Sequence, residues 1–383
     1  MRTEGVSAKL VFDGAYLFIP EEMGTPSDDQ MQGTMAEQLT ELAGRVCYDS
    51  LGKGRPSFST SDVQGYHDHI AETQHGSVQE HFNFTVEIPD AYASAGELAL
   101  CCMNRPGVTL LPAKNSDKSR LTVNLRSVLQ WSKWSSCFYD KTYPHLQQYN
   151  ADLNAMLRQL GNTLAPHIVE PCWSEDNDDI LDSGTCGVIV EPENDHEKWV
   201  TMYLTGSRGL SHELVRHGDF TAISQRSTRY VDESEGMWVA HPLVTDYRTR
   251  FPDLTVFSDV DDLIHNAKSL YDKLVGVLES DLLQKGTNKQ TARKQARGAA
   301  RGYLGNALQT ELIFSASVAQ WKWMLNQRAS VHADAEIRQM FCDCLRELKL
   351  SRYGDCFNDW SLTSSPDGIG EIAVCQAVPR QGT

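Results

Sequence analysis

The sequence predicts a mixed helix-and-strand protein, on three observations. Short β-like runs at 9–19, 81–88 and 198–204 are scattered through the first half of the chain. Helical apolar spacing dominates its last third. With 40% apolar and 22% charged residues over 383 positions, the chain has ample material for a buried core and is neither disordered nor collagen-like.

The elements follow in order. Residues 9–19 read as an edge strand and 24–29 as a turn-rich segment. From Met35 the positions Leu39, Leu42, Ala43, Val46 and Cys47 recur at helical spacing and predict a helix covering a core. A second helix is predicted over 61–71, capped by the hydroxyl of Thr60 or Ser61, and 81–88 alternates as a strand. Residues 120–132 begin β-like at 121–123 and turn helical, whereas the acidic piece 172–183 reads as a surface loop. A strand at 198–204 leads into a helix or tight connection at 209–217. Three long helices are then predicted over 261–283, 291–316 and 318–349, the second loosened near Gly302 and Gly305 and the third broken near Ser330. No repeat of solenoid period is visible.

Charge narrows the partners. With 35 Lys and Arg against 51 Asp and Glu, the net charge of -16 opposes indiscriminate binding of nucleic acid or an anionic membrane. No apolar run approaches the roughly 20 residues of a membrane helix, and residues 1–10 lack a signal-peptide pattern, so a cytoplasmic protein is expected. The ten cysteines form neither a small disulfide framework nor paired CxxC ligands, and are read mostly as reduced thiols; no metal site is expected.

The chemistry concentrates in residues 216–230. Arg216, Arg226 and Arg229 stand there among the hydroxyls of Thr221, Ser224, Ser227, Thr228 and Tyr230. Guanidinium forks match phosphate oxygens and hydroxyls complete the cradle, although composition alone fits a surface salt-bridge patch equally. A second basic set, Arg293, Arg297, Arg301 and Arg328, lies on predicted helices that could face a common cleft. A third set, His75-Gly76-Ser77-Val78-Gln79-Glu80-His81, is a compact group of donors and acceptors beside a strand. There is no GxGxxG, Walker or GxSxG motif, which argues against a Rossmann dehydrogenase, a P-loop hydrolase and an α/β-hydrolase.

These segments resemble the flavin-dependent thymidylate synthase family. The resemblance is carried by His75-x-Ser77-x-x-Glu80-His81, by the run from Arg216-His217 to Ser227-x-Arg229-Tyr230, and by Ala300-Arg301 with Arg328 and Glu336-Ile337-Arg338. It covers 34–95 and 197–348. It implies an α+β fold, an antiparallel sheet with long helices, assembled as a homotetramer with sites where subunits meet. On that basis residues 1–33 are an N-terminal extension, 34–348 a catalytic domain interrupted by an insertion at 96–195, and 349–383 a C-terminal extension. The implied reaction converts dUMP to dTMP, with methylenetetrahydrofolate as carbon donor, NADPH as reductant and FAD as cofactor. The motifs leave open a relative acting on UMP or another pyrimidine nucleotide, or a nucleotide binder without catalysis.

Carried over by motif position, Arg328 is implied to stabilise the activated pyrimidine, and Arg301, Ser227 and Arg229, with Gln225 and Glu213 nearby, to hold the nucleotide. His75, Ser77, Glu80, Arg216 and His217 are implied flavin contacts. Cys47 is expected to be a buried core thiol rather than a catalytic group. Two positions depart from the family: Gly218 replaces its second arginine, followed by the opposite charge of Asp219, and Ser317-Val318-Ala319 replaces a late Asn-x-Arg. The insertion itself holds Asn124-Leu125-Arg126, followed by Trp131 and Trp134, and Asn124 and Arg126 are expected to supply the missing flavin contacts.

Overall fold

Two neighbouring strands buried on both faces, Trp199–Ser207 and Gln309–Ser317, form the centre of the main sheet. The computed structural model describes residues 3–23, 32–51, 63–95, 107–112, 117–131, 144–169, 188–218 and 221–376. In chain order it contains β1 (Thr3–Glu4), β2 (Ser7–Phe12), α1 (Met35–Tyr48), α2 (Val63–Glu72), β3 (Asn83–Pro89), β4 (Thr109–Pro112), β5 (Lys118–Asn124), α3 (Gln147–Leu164), α4 (Pro166–Val169), β6 (Val188–Val190) and β7 (Trp199–Ser207). There follow α5 (Arg208–Leu214), β8 (Thr221–Gln225), β9 (Trp238–Val239), α6 (Pro242–Arg250), α7 (Val256–Gln284), α8 (Lys289–Ala300), β10 (Gln309–Ser317), α9 (Val318–Arg328), α10 (Ala335–Leu350), β11 (Trp360–Ser364) and β12 (Glu371–Cys375). This is a mixed helix-and-sheet architecture with antiparallel four-stranded sheets, and no helix among the described residues is long and apolar enough to cross a membrane.

The main sheet has the order β2-β7-β10-β8, antiparallel throughout. One face places Val200, Met202, Leu204, Leu312 and Phe314 against Trp321 of α9 and Phe341 of α10. The other places Tyr203 and Ile313 against Leu39, Leu42 and Val46 of α1. Helix α1 begins where predicted because Thr34 and Glu37 form a reciprocal capping box. Gly44 lets α2 approach it, since a Cβ there would collide with the Tyr66 hydroxyl.

A second sheet, β4-β5-β3-β6, is also antiparallel and packs Phe84, Val86, Leu121 and Val123 against Leu153 and Leu157 of α3. It repeats the main sheet's connectivity. In each, a first strand (β3 or β7) leads into helical turns, a second (β4 or β8) becomes an edge, and a third (β5 or β10) returns between the two and runs straight into a helix. The helical residues after β5 are 125–131. The buried Arg120 ties this sheet to the approach of β7, donating its Nε to Glu197 at 2.9 Å.

One expectation fails outright. Residues 291–316 are not one helix: α8 stops at Ala300, and Gln309–Ser317 is the strand β10. Its run Leu312-Ile313-Phe314 is apolar on both faces because helices cover both sides of the sheet, so alternation, the usual sign of a strand, is missing. The segment 172–183 lies outside the described residues, as do Thr60 and Ser61.

Candidate active site

Three pieces of chain converge on a cavity of about 360 Å³: the end of α1, the turn at 73–77 and strand β8 with the residues after it. His75, Ser77, Gln225 and Ser227, all singled out in the sequence, line it together. Backbone bonding sets the geometry, for Ser227 N donates to Cys47 O at 2.9 Å and joins the β8 exit to α1. Gln225 is fixed by donating Nε2 to Ser211 Oγ at 2.9 Å and Thr310 Oγ1 at 3.0 Å. The rim is aromatic. The ring of Tyr48 meets His75 at 5.5 Å and Tyr230 at 5.0 Å, both edge-on, and Lys294 Nζ lies 4.7 Å from the Tyr230 ring centre. Burial lowers the pKa of His75, and its buried Nδ1 has no partner among the described residues.

Behind the cavity lies a polar chain that motif reading did not assemble. His81, almost wholly buried, binds Ser224 Oγ at 2.8 Å through Nε2 and Ser315 Oγ at 2.7 Å through Nδ1, and Ser315 meets Thr201 Oγ1 at 2.7 Å. Burial pushes the His81 pKa down to about 3, so the ring is neutral, with one nitrogen donating and the other accepting. Cys47 lines the same cavity as Ser224, and burial pushes its thiol up to about 12 against the opposing hydrogen bond of Ser224. A protonated, desolvated thiol is a poor nucleophile.

The arginines fall into separate groups. Arg328 donates Nε to His217 Nε2 at 3.0 Å and Nη1 to Glu213 Oε2 at 2.9 Å. Burial, aided by the Arg328 charge, pushes His217 down to about 4. Its neutral ring accepts at Nε2 and therefore carries its proton on Nδ1, which is buried without a partner among the described residues. Arg301 donates to Thr228 Oγ1 at 3.3 Å, while Arg216 and Arg229 are exposed. Arg293 and Arg297, expected to face a common cleft with Arg328, pair with Glu279 and Asp232, and Arg297 also holds the carbonyl of Tyr230. Arg226 is committed to Glu233 and Asp49. Glu213 lines a different, larger cavity of about 410 Å³ between α5, α6 and α7, whose wall includes Val244, Phe257 and Ile264. The smaller cavity is the candidate site because it gathers the polar residues of two sequence motifs.

The segment between the two cavity-lining motifs touches the first of them through Arg126. Arg126 Nη1 reaches Glu80 Oε1 at 2.6 Å, whereas Asn124 is fully buried and its Oδ1 accepts from Ser127 N at 2.9 Å and Ser127 Oγ at 3.0 Å, capping 125–131. Trp131 is buried and donates to Asn150. Of the departures, Gly218 ends a 3-10 turn and Ser317 caps α9; Asp219 and Trp134 lie outside the described residues.

Comparison with known proteins gives the family. A family model described as thymidylate synthase complementing protein matches residues 30–95 and 198–351. The chain is 37% identical over 176 residues to a flavin-dependent thymidylate synthase of Mycolicibacterium gilvum, and 36% identical over 176 residues to that of Mycobacterium tuberculosis strain H37Rv. Each match covers 46% of this chain and 66% of the relative, just under two thirds of its length. Since the family model takes in more than half of the chain, including both segments that line the polar cavity, this protein belongs to the thymidylate synthase complementing protein family.

Proposed function

We propose that the protein is a flavin-dependent thymidylate synthase that converts dUMP to dTMP, with methylenetetrahydrofolate as carbon donor and NADPH as reductant, acting in the cytoplasm as a homotetramer. The observation that carries the reading is the meeting of His75 and Ser77 with Gln225, Ser227 and Tyr230 around one aromatic-rimmed polar cavity. Its volume lies near the lower bound of about 300 Å³ for small-molecule pockets, enough for a ring system but not a whole dinucleotide. The orphaned Nδ1 of His75 and the edge-on rings suit a planar ligand rich in hydrogen-bonding atoms. A bound flavin would supply the reducing electrons and relay the one-carbon unit.

The side chains would bind and polarise. Ser227, Arg229 and Arg301 hold the nucleotide phosphate and sugar, with Gln225 and Glu213 nearby, and exposed Arg216 and Arg229 lie ready for the faces where copies of the chain meet. His75, Ser77, Glu80, Arg216 and His217 hold the flavin. Arg328 faces the pyrimidine. Because Glu213 and neutral His217 already fix its fork, little reorganisation is needed as negative charge develops on the uracil carbonyls. Anaerobic mixing of the protein with FAD, NADPH, methylenetetrahydrofolate and dUMP tests the reading. A product heavier by one methyl group, requiring all four, is the expected outcome; unchanged dUMP beside a reduced, bound flavin rejects the methylation.

A further inference from the structure

The repeated connectivity of the two sheets extends to individual residues. Register places Trp199 opposite Ser317 and Thr201 opposite Ser315 in the main sheet; it places Asn83 opposite Asn124 and Thr85 opposite Thr122 in the second sheet. Both inner pairs are hydroxyl pairs joined side chain to side chain. The third strand of each unit ends on a polar side chain, Ser317 or Asn124, that caps the helix it enters by accepting from the amide three residues on. Asn124 is therefore the counterpart of Ser317, and Arg126 that of Ala319.

Arg126 is poorly satisfied where it lies. It binds Glu80 through Nη1, yet its Nε is buried with no partner among the described residues. Its side chain rests on Gly76, where a Cβ would come within 3.2 Å of Nε, and the neighbours of Gly76, His75 and Ser77, line the polar cavity. Two orphaned polar nitrogens, Arg126 Nε and His75 Nδ1, thus sit at one turn. Buried donors in folded proteins find acceptors, and a guanidinium with an unused Nε–H calls for an oxygen. Arg126 also lies outside both segments matched by the family model.

We infer that Arg126 is a ligand-binding residue supplied by an internal second copy of the β7–β8–β10 unit, and that it holds an acceptor oxygen of the flavin beside the His75–Glu80 turn. The inference rests on the flavin reading above. FAD titration followed by flavin fluorescence, with dUMP binding measured in parallel, tests it on wild-type protein, Arg126→Gln and Arg126→Lys. The glutamine variant should bind FAD at least tenfold more weakly with dUMP affinity within twofold. The lysine variant should stay comparably weak, since an ammonium can still pair with Glu80 but offers no fork. Riboflavin separates the two oxygen sources: weakened binding of riboflavin as well as FAD assigns a ring carbonyl, and a loss confined to FAD assigns a phosphate. FAD affinity within twofold of wild type in Arg126→Gln overturns the inference, and so does full recovery in Arg126→Lys, which would reduce the residue to a partner of Glu80. Wild-type protein that binds no FAD would instead defeat the flavin reading and this inference with it.

Discussion

Between β7 and β10 the register sets Thr201 against Ser315, and between β3 and β5 it sets Thr85 against Thr122, with hydroxyl contacts of 2.7 and 2.9 Å. From that shared point the two units diverge. In the first, His81 extends the pair to Ser224 and so to the wall of the polar cavity. In the second, the alternate positions Phe84, Val86, Leu121 and Val123 pack on α3. Gln225, which lines the cavity opposite Leu312, has as its counterpart Pro112, opposite Ser119, a residue that cannot offer a side-chain amide. One frame serves two ends because the strands determine only where side chains stand; a site arises where polar groups from outside the unit, here His81 and His75, are brought to it.

Removing chemistry from the first unit should have the largest effect. Arg328 lies on the helix that follows β10, and Arg328→Ala should lower dTMP formation by about 10²–10³-fold, the usual loss for a preorganised donor. Retained turnover would detach that helix from the reaction. Next comes the contrast between the hydroxyl pairs. His81→Leu breaks two buried hydrogen bonds at once, leaving Ser315 its bond to Thr201 and Ser224 that to Cys47, and should cost about 2–3 kcal/mol in urea unfolding, at roughly 1–1.5 kcal/mol for each bond lost. Replacing both Thr85 and Thr122 by Val removes donor and acceptor together with shape nearly kept, and should cost less than about 1 kcal/mol. Equal losses would show that the two pairs are not differently employed.

Much of the site built around the first unit was legible in the sequence, and little of the second unit. The motif residues His75, Ser77, Gln225 and Ser227 declare themselves by type and spacing, and α1 and β7 by apolar pattern. Strand β10 hid because both its faces are buried, and β8 because its five residues double as a polar motif. The His81 chain joins side chains 143 and 234 positions apart, so no local spacing announces it. The repeat was invisible for a related reason: β7 and β10 are separated by the whole of α5–α8, β3 and β5 by a shorter stretch, so the copies share register but no period.

Acid should act chiefly around the first unit. His81 and His217 have pKa values pushed down to about 3 and about 4, mainly by burial, and His67 on α2 to about 4. Each binds its proton more readily when unfolded, near the ordinary value of about 6.5, so their contribution is complete above that pH and is lost as pH falls toward 4. Unfolding free energy should fall by about 1.4 kcal/mol per pH unit for each histidine taking part. His81→Gln, which keeps a donor and an acceptor but does not titrate, should flatten the slope; an unchanged slope would remove His81 from the account.

The finest test of the comparison lies at the two caps. Ser317 and Asn124 each end a third strand and accept from the amide that opens a helix, at 3.3 and 2.9 Å. Serine and asparagine are nearly equal as N-caps, whereas replacement of either by alanine costs about 1 kcal/mol. Ser317→Ala should lose about that amount, and Asn124→Ala up to about 2 kcal/mol, because its Oδ1 also accepts from the buried Ser127 hydroxyl. If residues 317 and 124 occupy equivalent corners of one repeated frame, Ser317→Asn should unfold within about 0.5 kcal/mol of wild type, with the Gln320 amide still protected from exchange. A loss as large as that of the alanine variant would mean that the corner after β10 has no room for the side chain its counterpart carries, and the equivalence that assigns Arg126 to the place of Ala319 would fail with it.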